Sequence, residues 1–304
     1  MDTQLVGYKA KDFEGRNLAW FFLIVMGIPY LFIALFVLGI LKYPTNVGPG
    51  LGILFAVSQF LPLIAAFLVT GLTQGKPGVI ALWKRFWNRN LSIKWLLVAL
   101  LLNPASRLVA SLIDRAVTGE SYPVLIADFL PAFLLGIVIG IREEFDWRGY
   151  VLPRFQARWN ALTSSLILGV IWAFWHVGSW LIPPGNPHRQ GYFGWFALWI
   201  ICLSVFTTWI FNNTKGSVLA AVLYHAAATN GLVDCCSGPW AWELVCGVTL
   251  LAAILVVVIF GPKNLVRQKA YAPSLLREQP AAEAPMENAP QALAGAKLGV
   301  SDRR

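Results

Sequence analysis

Charge is scarce in this chain. Only 13% of its 304 residues are Asp, Glu, Lys or Arg, where a soluble domain carries about 25%. That shortage, joined to a 57% hydrophobic content, excludes both an ordinary soluble enzyme and a disordered chain. Cysteine is equally sparse. Of the four, Cys202 and Cys246 lie inside apolar runs and Cys235 and Cys236 are adjacent, which is no disulfide framework. There is no phosphate loop, no paired-cysteine metal motif, no internal repeat and no His-Glu-x-x-His zinc signature. The net charge of +9 does not mark a nucleic-acid binder, because the basic residues sit in short segments between apolar runs rather than on one water-exposed face.

What is present is apolar sequence in long blocks, with a mean hydropathy of +0.63 and fourteen Trp. The blocks predict eight transmembrane helices: Leu18–Leu41, Leu51–Leu72, Ile93–Ile113, Pro131–Trp147, Leu162–Ile182, Tyr192–Phe211, Ser217–Val233 and Trp240–Phe260. Each crosses or nearly crosses about 30 Å of hydrocarbon. The third is interrupted by Asn103, Pro104 and Arg107, and Pro131 suits the first turn of the fourth. The expected fold is therefore all-α, a polytopic membrane bundle. Lys9, Lys11, Arg16, Lys76, Lys84, Arg85, Arg89, Lys94, Arg142, Arg148, Arg154, Arg158 and Lys215 fall on one side. Lys42, Arg115 and Arg189 fall on the other. The positive-inside rule then puts both termini in the cytoplasm. The chain divides into a cytoplasmic segment (1–17), amino-terminal spans (18–128), a core (129–233), a last span (234–262) and a disordered Ala/Pro/Glu/Gln tail (263–304). In a bacterium the expected location is the inner membrane.

Charge within a span costs about 2.5–3.5 kcal/mol per residue and calls for a reason. The densest case is Arg142-Glu143-Glu144-Phe145-Asp146-Trp147-Arg148-Gly149, closing the fourth span. On a helix Glu144 and Arg148 share a face and can pair, while Glu143 points about 100° away and is left for another partner. Asp146 lies three residues beyond Glu143 on nearly the same face. A helix end emerging into water would account for such charges. Two of the three histidines weigh against it, because His176 and His225 lie inside the fifth and seventh spans. His188 sits in a Pro-rich loop. Counted from the cytoplasmic ends at about 1.5 Å per residue, His225 lies roughly 12 Å deep and His176 roughly 18 Å, so both could line one cavity with Glu143.

A carboxylate and a histidine around one water can deprotonate it for attack on an amide carbonyl, and a second histidine with a neighbouring hydroxyl or amide can hold the oxyanion. The same residues admit another chemistry. Glu143, His176 and His225 are three acceptable zinc ligands that would leave a fourth position to water. The metal-free arrangement is favoured.

These residues also resemble a known family. Glu143-Glu144-x-x-x-Arg148, followed by Gly149 and Pro153, is similar to the first motif of the type II CAAX prenyl endopeptidases and their bacterial relatives, the CPBP (Abi) intramembrane proteases. Trp172 and His176 resemble the second motif. His225 resembles the third, with Thr229 at the position where Asn is expected and Asn230 just after it. Asn213-Thr214-Lys215-Gly216-Ser217 is a similar lead-in, and the likeness runs from about Phe129 to Asn230.

The resemblance implies an endopeptidase in which Glu143 is the general base and His176 helps hold the water. Glu144 and Arg148 would orient the site, and His225 with Asn230 or Thr229 would bind the oxyanion. It also implies a membrane-associated peptide or protein as substrate. Two further readings of the same scaffold are a non-catalytic immunity or binding protein and a transporter with a proton relay.

Overall fold

The computed structural model describes residues 14–40, 59–88, 91–119, 129–181, 192–229 and 241–267. Among the described residues there are helices and turns and no strand. The long helices are α1 (Gly15–Val37), α2 (Leu61–Phe86), α3 (Ile93–Thr118), α4 (Phe129–Glu144), α5 (Ala161–Trp175), α6 (Phe193–Asn213), α7 (Val218–Thr229) and α8 (Ala241–Phe260). Five of them, α1, α2, α3, α6 and α8, are long and apolar enough to cross a membrane; α5 and α7 are shorter apolar helices. The protein is an integral, multi-pass helical membrane protein.

The second and fifth helices depart clearly from the expected spans. The second was expected over Leu51–Leu72, but α2 starts at Leu61 and runs on to Phe86, with residues 51–58 outside the described set. Its continuation passes through Gly75-Lys76-Pro77, a stretch that reads as a loop. Pro77 cannot donate to the preceding turn, and Gly75 absorbs the break at φ 63°, ψ −163°, so the helix kinks and resumes. The third helix holds together across its polar interruption. Arg107 Nε donates to Asn103 Oδ1 at 3.1 Å, and its guanidinium lies 5.9 Å from the Trp199 ring.

The fifth was expected to reach Ile182 but stops at Trp175. His176 is the cause. Its Nδ1 bonds the Trp172 carbonyl at 2.9 Å, the acceptor its own amide would use in a continuing α-helix. The amide turns to Ala173 O at 3.1 Å instead. Side-chain competition for a backbone partner ends the helix, and one short turn, Gly178–Leu181, follows.

The core gathers on α4 to α7. A methyl at Gly140 would lie 3.0 Å from the Val222 carbonyl oxygen, so glycine is what lets α4 approach α7. Ser204 Oγ donates to Ser165 O at 2.8 Å, tying α6 to α5. After α8 the chain folds under this core. Pro262 and Lys263 carbonyls take the first amides of α5, while Asn212 and Asn213 side chains donate to the carbonyls of Asn264 and Leu265. The start of α5, which carries Trp172 and His176 further along, is thereby capped.

Candidate active site

Past Glu144 the fourth helix does not end. It widens into a π-helical segment, Phe145–Val151, and resumes as Leu152–Gln156. Such segments widen the turn to i→i+5 bonding and redirect side chains. Every residue of this one is buried. The charges of the motif therefore do not sit on a helix end emerging into water.

Glu144 and Arg148 pair as the helical spacing predicts, Arg148 Nη1 to Glu144 Oε1 at 3.2 Å, both wholly buried. The same carboxylate oxygen meets His225 Nδ1 at 2.8 Å. An ionised carboxylate only accepts, so His225 carries its proton on Nδ1, and Nε2 can donate only from the imidazolium. Glu144 thus fixes the tautomer and orientation of His225.

Glu143 is 2% exposed, and its partners lie elsewhere. Oε1 accepts from Arg142 Nη2 at 2.5 Å and Oε2 from Trp172 Nε1 at 3.0 Å. A carboxylate offers about four lone-pair sites, and these two contacts, among the described residues, leave capacity for a water. Arg142 was grouped by sequence with the loop charges, and no spacing rule singled it out. Its side chain, 14% exposed, also donates to Gln59 Oε1 at 3.2 Å and faces the Trp175 ring at 6.0 Å.

Trp172 is the hub of the site. Its indole N–H holds Glu143. Its ring lies 6.1 Å from the His176 ring, 5.6 Å from the His225 ring and 4.6 Å from the Arg148 guanidinium. Both imidazoles lie within electrostatic range of the Glu143 carboxylate. His176 donates through Nδ1 to the Trp172 carbonyl, which leaves Nε2 as an acceptor in the neutral ring. Sequence reasoning named Trp172 only as the aromatic of the second motif; its N–H is the part that matters.

Asp146 is wholly buried, not turned to the cytoplasm. One oxygen accepts from the Trp147 amide at 2.7 Å, and Oδ2 has no partner among the described residues. Three carboxylates (Glu143, Glu144, Asp146) thus meet two guanidiniums (Arg142, Arg148), and the cluster reaches neutrality only when one further proton is held among its carboxylates and imidazoles. Glu144 Oε2 and Arg148 Nε and Nη2 are likewise buried without partners among the described residues. A peptide group or water entering here meets donors and acceptors already stripped of solvent.

The zinc alternative does not fit this arrangement. Among the described residues no three His, Cys, Asp or Glu groups come together as a metal cluster. Glu143, His176 and His225 are spread around the Trp172 ring, and the Nδ1 atoms of the two histidines are directed to other partners. The reading of this chain as a metalloprotease is therefore not supported. Thr229 Oγ1 donates back to its own helix, to His225 O at 3.0 Å, while Asn230 lies outside the described residues. Cys202 and Cys246 are buried free thiols.

Comparison with known proteins agrees with the geometry. Residues 125–230 match the family model for Rce1-like, type II CAAX prenyl endopeptidases. A CAAX prenyl protease 2 of Methanococcus maripaludis is 28% identical over 182 residues. That alignment covers 54% of this chain and 66% of the relative, so the chain spans just under two thirds of that protein's length. The match encloses Glu143, Glu144, Arg148, His176 and His225, and over that segment the chain is similar to the type II CAAX prenyl endopeptidases.

Proposed function

We propose that this protein is an intramembrane endopeptidase that hydrolyses a peptide bond of a membrane-associated peptide or protein with water activated by Glu143. The observation that carries the reading is the placement of Glu143, buried and pinned through one oxygen by Trp172, with both histidines around the same indole. Glu143 takes a proton from water as its oxygen attacks the carbonyl carbon, with His176 Nε2 accepting the second water hydrogen bond. The carbonyl π pair moves onto oxygen, where His225, oriented by Glu144 and donating from Nε2 when doubly protonated, would stabilise it. Collapse breaks the C–N bond, and the leaving amine receives the proton that Glu143 holds. Asn230 would add a donor to the oxyanion. The reaction needs no metal, and the cut would fall on the cytoplasmic side, where the positive-inside rule places this half of the bilayer.

The test is cleavage of a membrane-tethered reporter peptide library by the purified full chain in nanodiscs, with and without a zinc chelator. Cleavage by wild type, abolished by Glu143→Ala and indifferent to the chelator, is the expected result. A folded wild type that cleaves nothing overturns the protease reading. Loss of cleavage on chelation overturns its metal-free chemistry.

A further inference from the structure

Beside the motif segment lies a second polar feature that the proposed chemistry does not use. A small recess of about 10 Å³, partly open to the outside, separates α2 from the π-helical segment; Thr70, Gln74, Arg85, Tyr150 and Arg154 line it. The Arg154 guanidinium stacks on the Tyr150 ring at 3.7 Å. Arg85 donates to the Gly149 carbonyl. Two hydroxyls, Thr70 Oγ1 and Tyr150 OH, belong to residues only 2% and 1% exposed and have no partner among the described residues. Buried hydroxyls beside guanidiniums make a seat for an anion, and unmet buried donors are costly.

The seat already holds an anionic group. Glu14 Oε2 accepts from Arg154 Nε and Nη2 at 3.0 and 2.8 Å, and Oε1 accepts from Gln74 Nε2 at 3.0 Å. Glu14 reaches this position at φ 46°, ψ 50°, a left-handed conformation uncommon outside glycine, asparagine and aspartate. Its carboxylate satisfies Arg154 and Gln74 but neither hydroxyl. A larger anion with more oxygens would reach them as well.

The surroundings identify the class of anion. Trp20 on α1, Trp83 on α2 and Trp87 at its end are about half exposed, and tryptophan marks the membrane–water boundary. Arg16, Lys76 and Lys84 stand exposed around them. An interfacial aromatic belt with basic residues lies at headgroup depth, where anionic lipids are concentrated. We propose that the recess binds the phosphate of an anionic phospholipid, which takes the seat the Glu14 carboxylate holds and also engages the Thr70 and Tyr150 hydroxyls. The acyl chains would lie along the lipid-facing sides of α1 and α2.

The experiment is native mass spectrometry of the full chain in detergent, titrated with phosphatidylglycerol or phosphatidylcholine, with excess inorganic phosphate as a competitor. Wild type should prefer phosphatidylglycerol about tenfold, the scale of one charge-assisted contact. Thr70→Val, isosteric and without the hydroxyl, should weaken that lipid about fivefold. Glu14→Gln, which weakens the resident competitor, should tighten it about threefold, while Arg115→Gln on α3 changes nothing. No preference for the anionic lipid overturns the site, as does a preference moved by neither Thr70→Val nor Glu14→Gln. Displacement of the lipid by inorganic phosphate assigns the seat to a free anion and overturns the lipid.

Discussion

The first and sixth helices are both apolar enough to cross a membrane, yet they live in different surroundings. Only 11% of the most hydrophobic stretch of α1 is buried inside the protein, against 67% for α6. The outer helices α1, α2, α3 and α8 meet lipid with most of their surface, so hydrophobicity is nearly all their sequence must supply. The inner group, α4 to α7, carries Glu143, Glu144, Asp146, Arg148 and His225 in a wholly buried cluster. There each polar group needs a particular partner, because hydrocarbon offers none. Substitutions should therefore matter in proportion to how many buried partners they strand, and hardly at all on the lipid-facing side.

The largest effect expected is that of Glu144→Gln. It removes the charge that faces both Arg148 and His225, and stranding a buried guanidinium costs about 3–5 kcal/mol. Thermal unfolding in detergent should show a clear fall in midpoint, and an unchanged midpoint would mean that the pair contributes little. Trp172→Phe is expected to be milder and more selective. The ring contacts persist while the hydrogen bond to Glu143 goes, so turnover should drop about 10–100-fold with folding intact, the scale of a hydrogen bond to a charged group. A Phe variant as active as wild type would remove Trp172 from the site's working parts.

Thr229→Val should do far less. Its hydroxyl bonds its own helix, and a loss of less than about threefold in turnover is expected. A larger loss would assign the third motif to Thr229. Leu112→Ala, on the lipid-facing side of α3, should leave both stability and turnover unchanged within about 0.5 kcal/mol. A marked effect there would blur the contrast between the two sets of helices.

The sequence made the membrane class legible because eight apolar blocks outlast any ordinary core helix. It also exposed the site, because charges and histidines inside such blocks require explanation. The Glu144–Arg148 pair follows from helical spacing alone. Other features depend on three-dimensional competition that spacing does not report. The π segment after Glu144 turned an apparent helix end into buried backbone and took Asp146 inward. The His176 ring claimed the Trp172 carbonyl and ended α5 early. Arg142 lies next to Glu143 in the chain, but its role depends on the approach of Gln59, just before α2, and of Trp175 on α5. The start of α2 was misplaced because Gly75-Lys76-Pro77 carries the same turn signal whether the chain leaves the helix or only kinks.

The central claim is that Glu143, and not its neighbour, is the base. Its most direct test is steady-state turnover of a cleaved reporter by Glu143→Gln in nanodiscs, beside wild type with a matched unfolding midpoint. Gln keeps the shape and can still accept from Trp172, so only the base is lost. kcat should fall at least about 10²–10⁴-fold, the usual contribution of a positioned general base, with KM changed little. A Glu143→Gln enzyme that keeps its kcat within about threefold of wild type would contradict it.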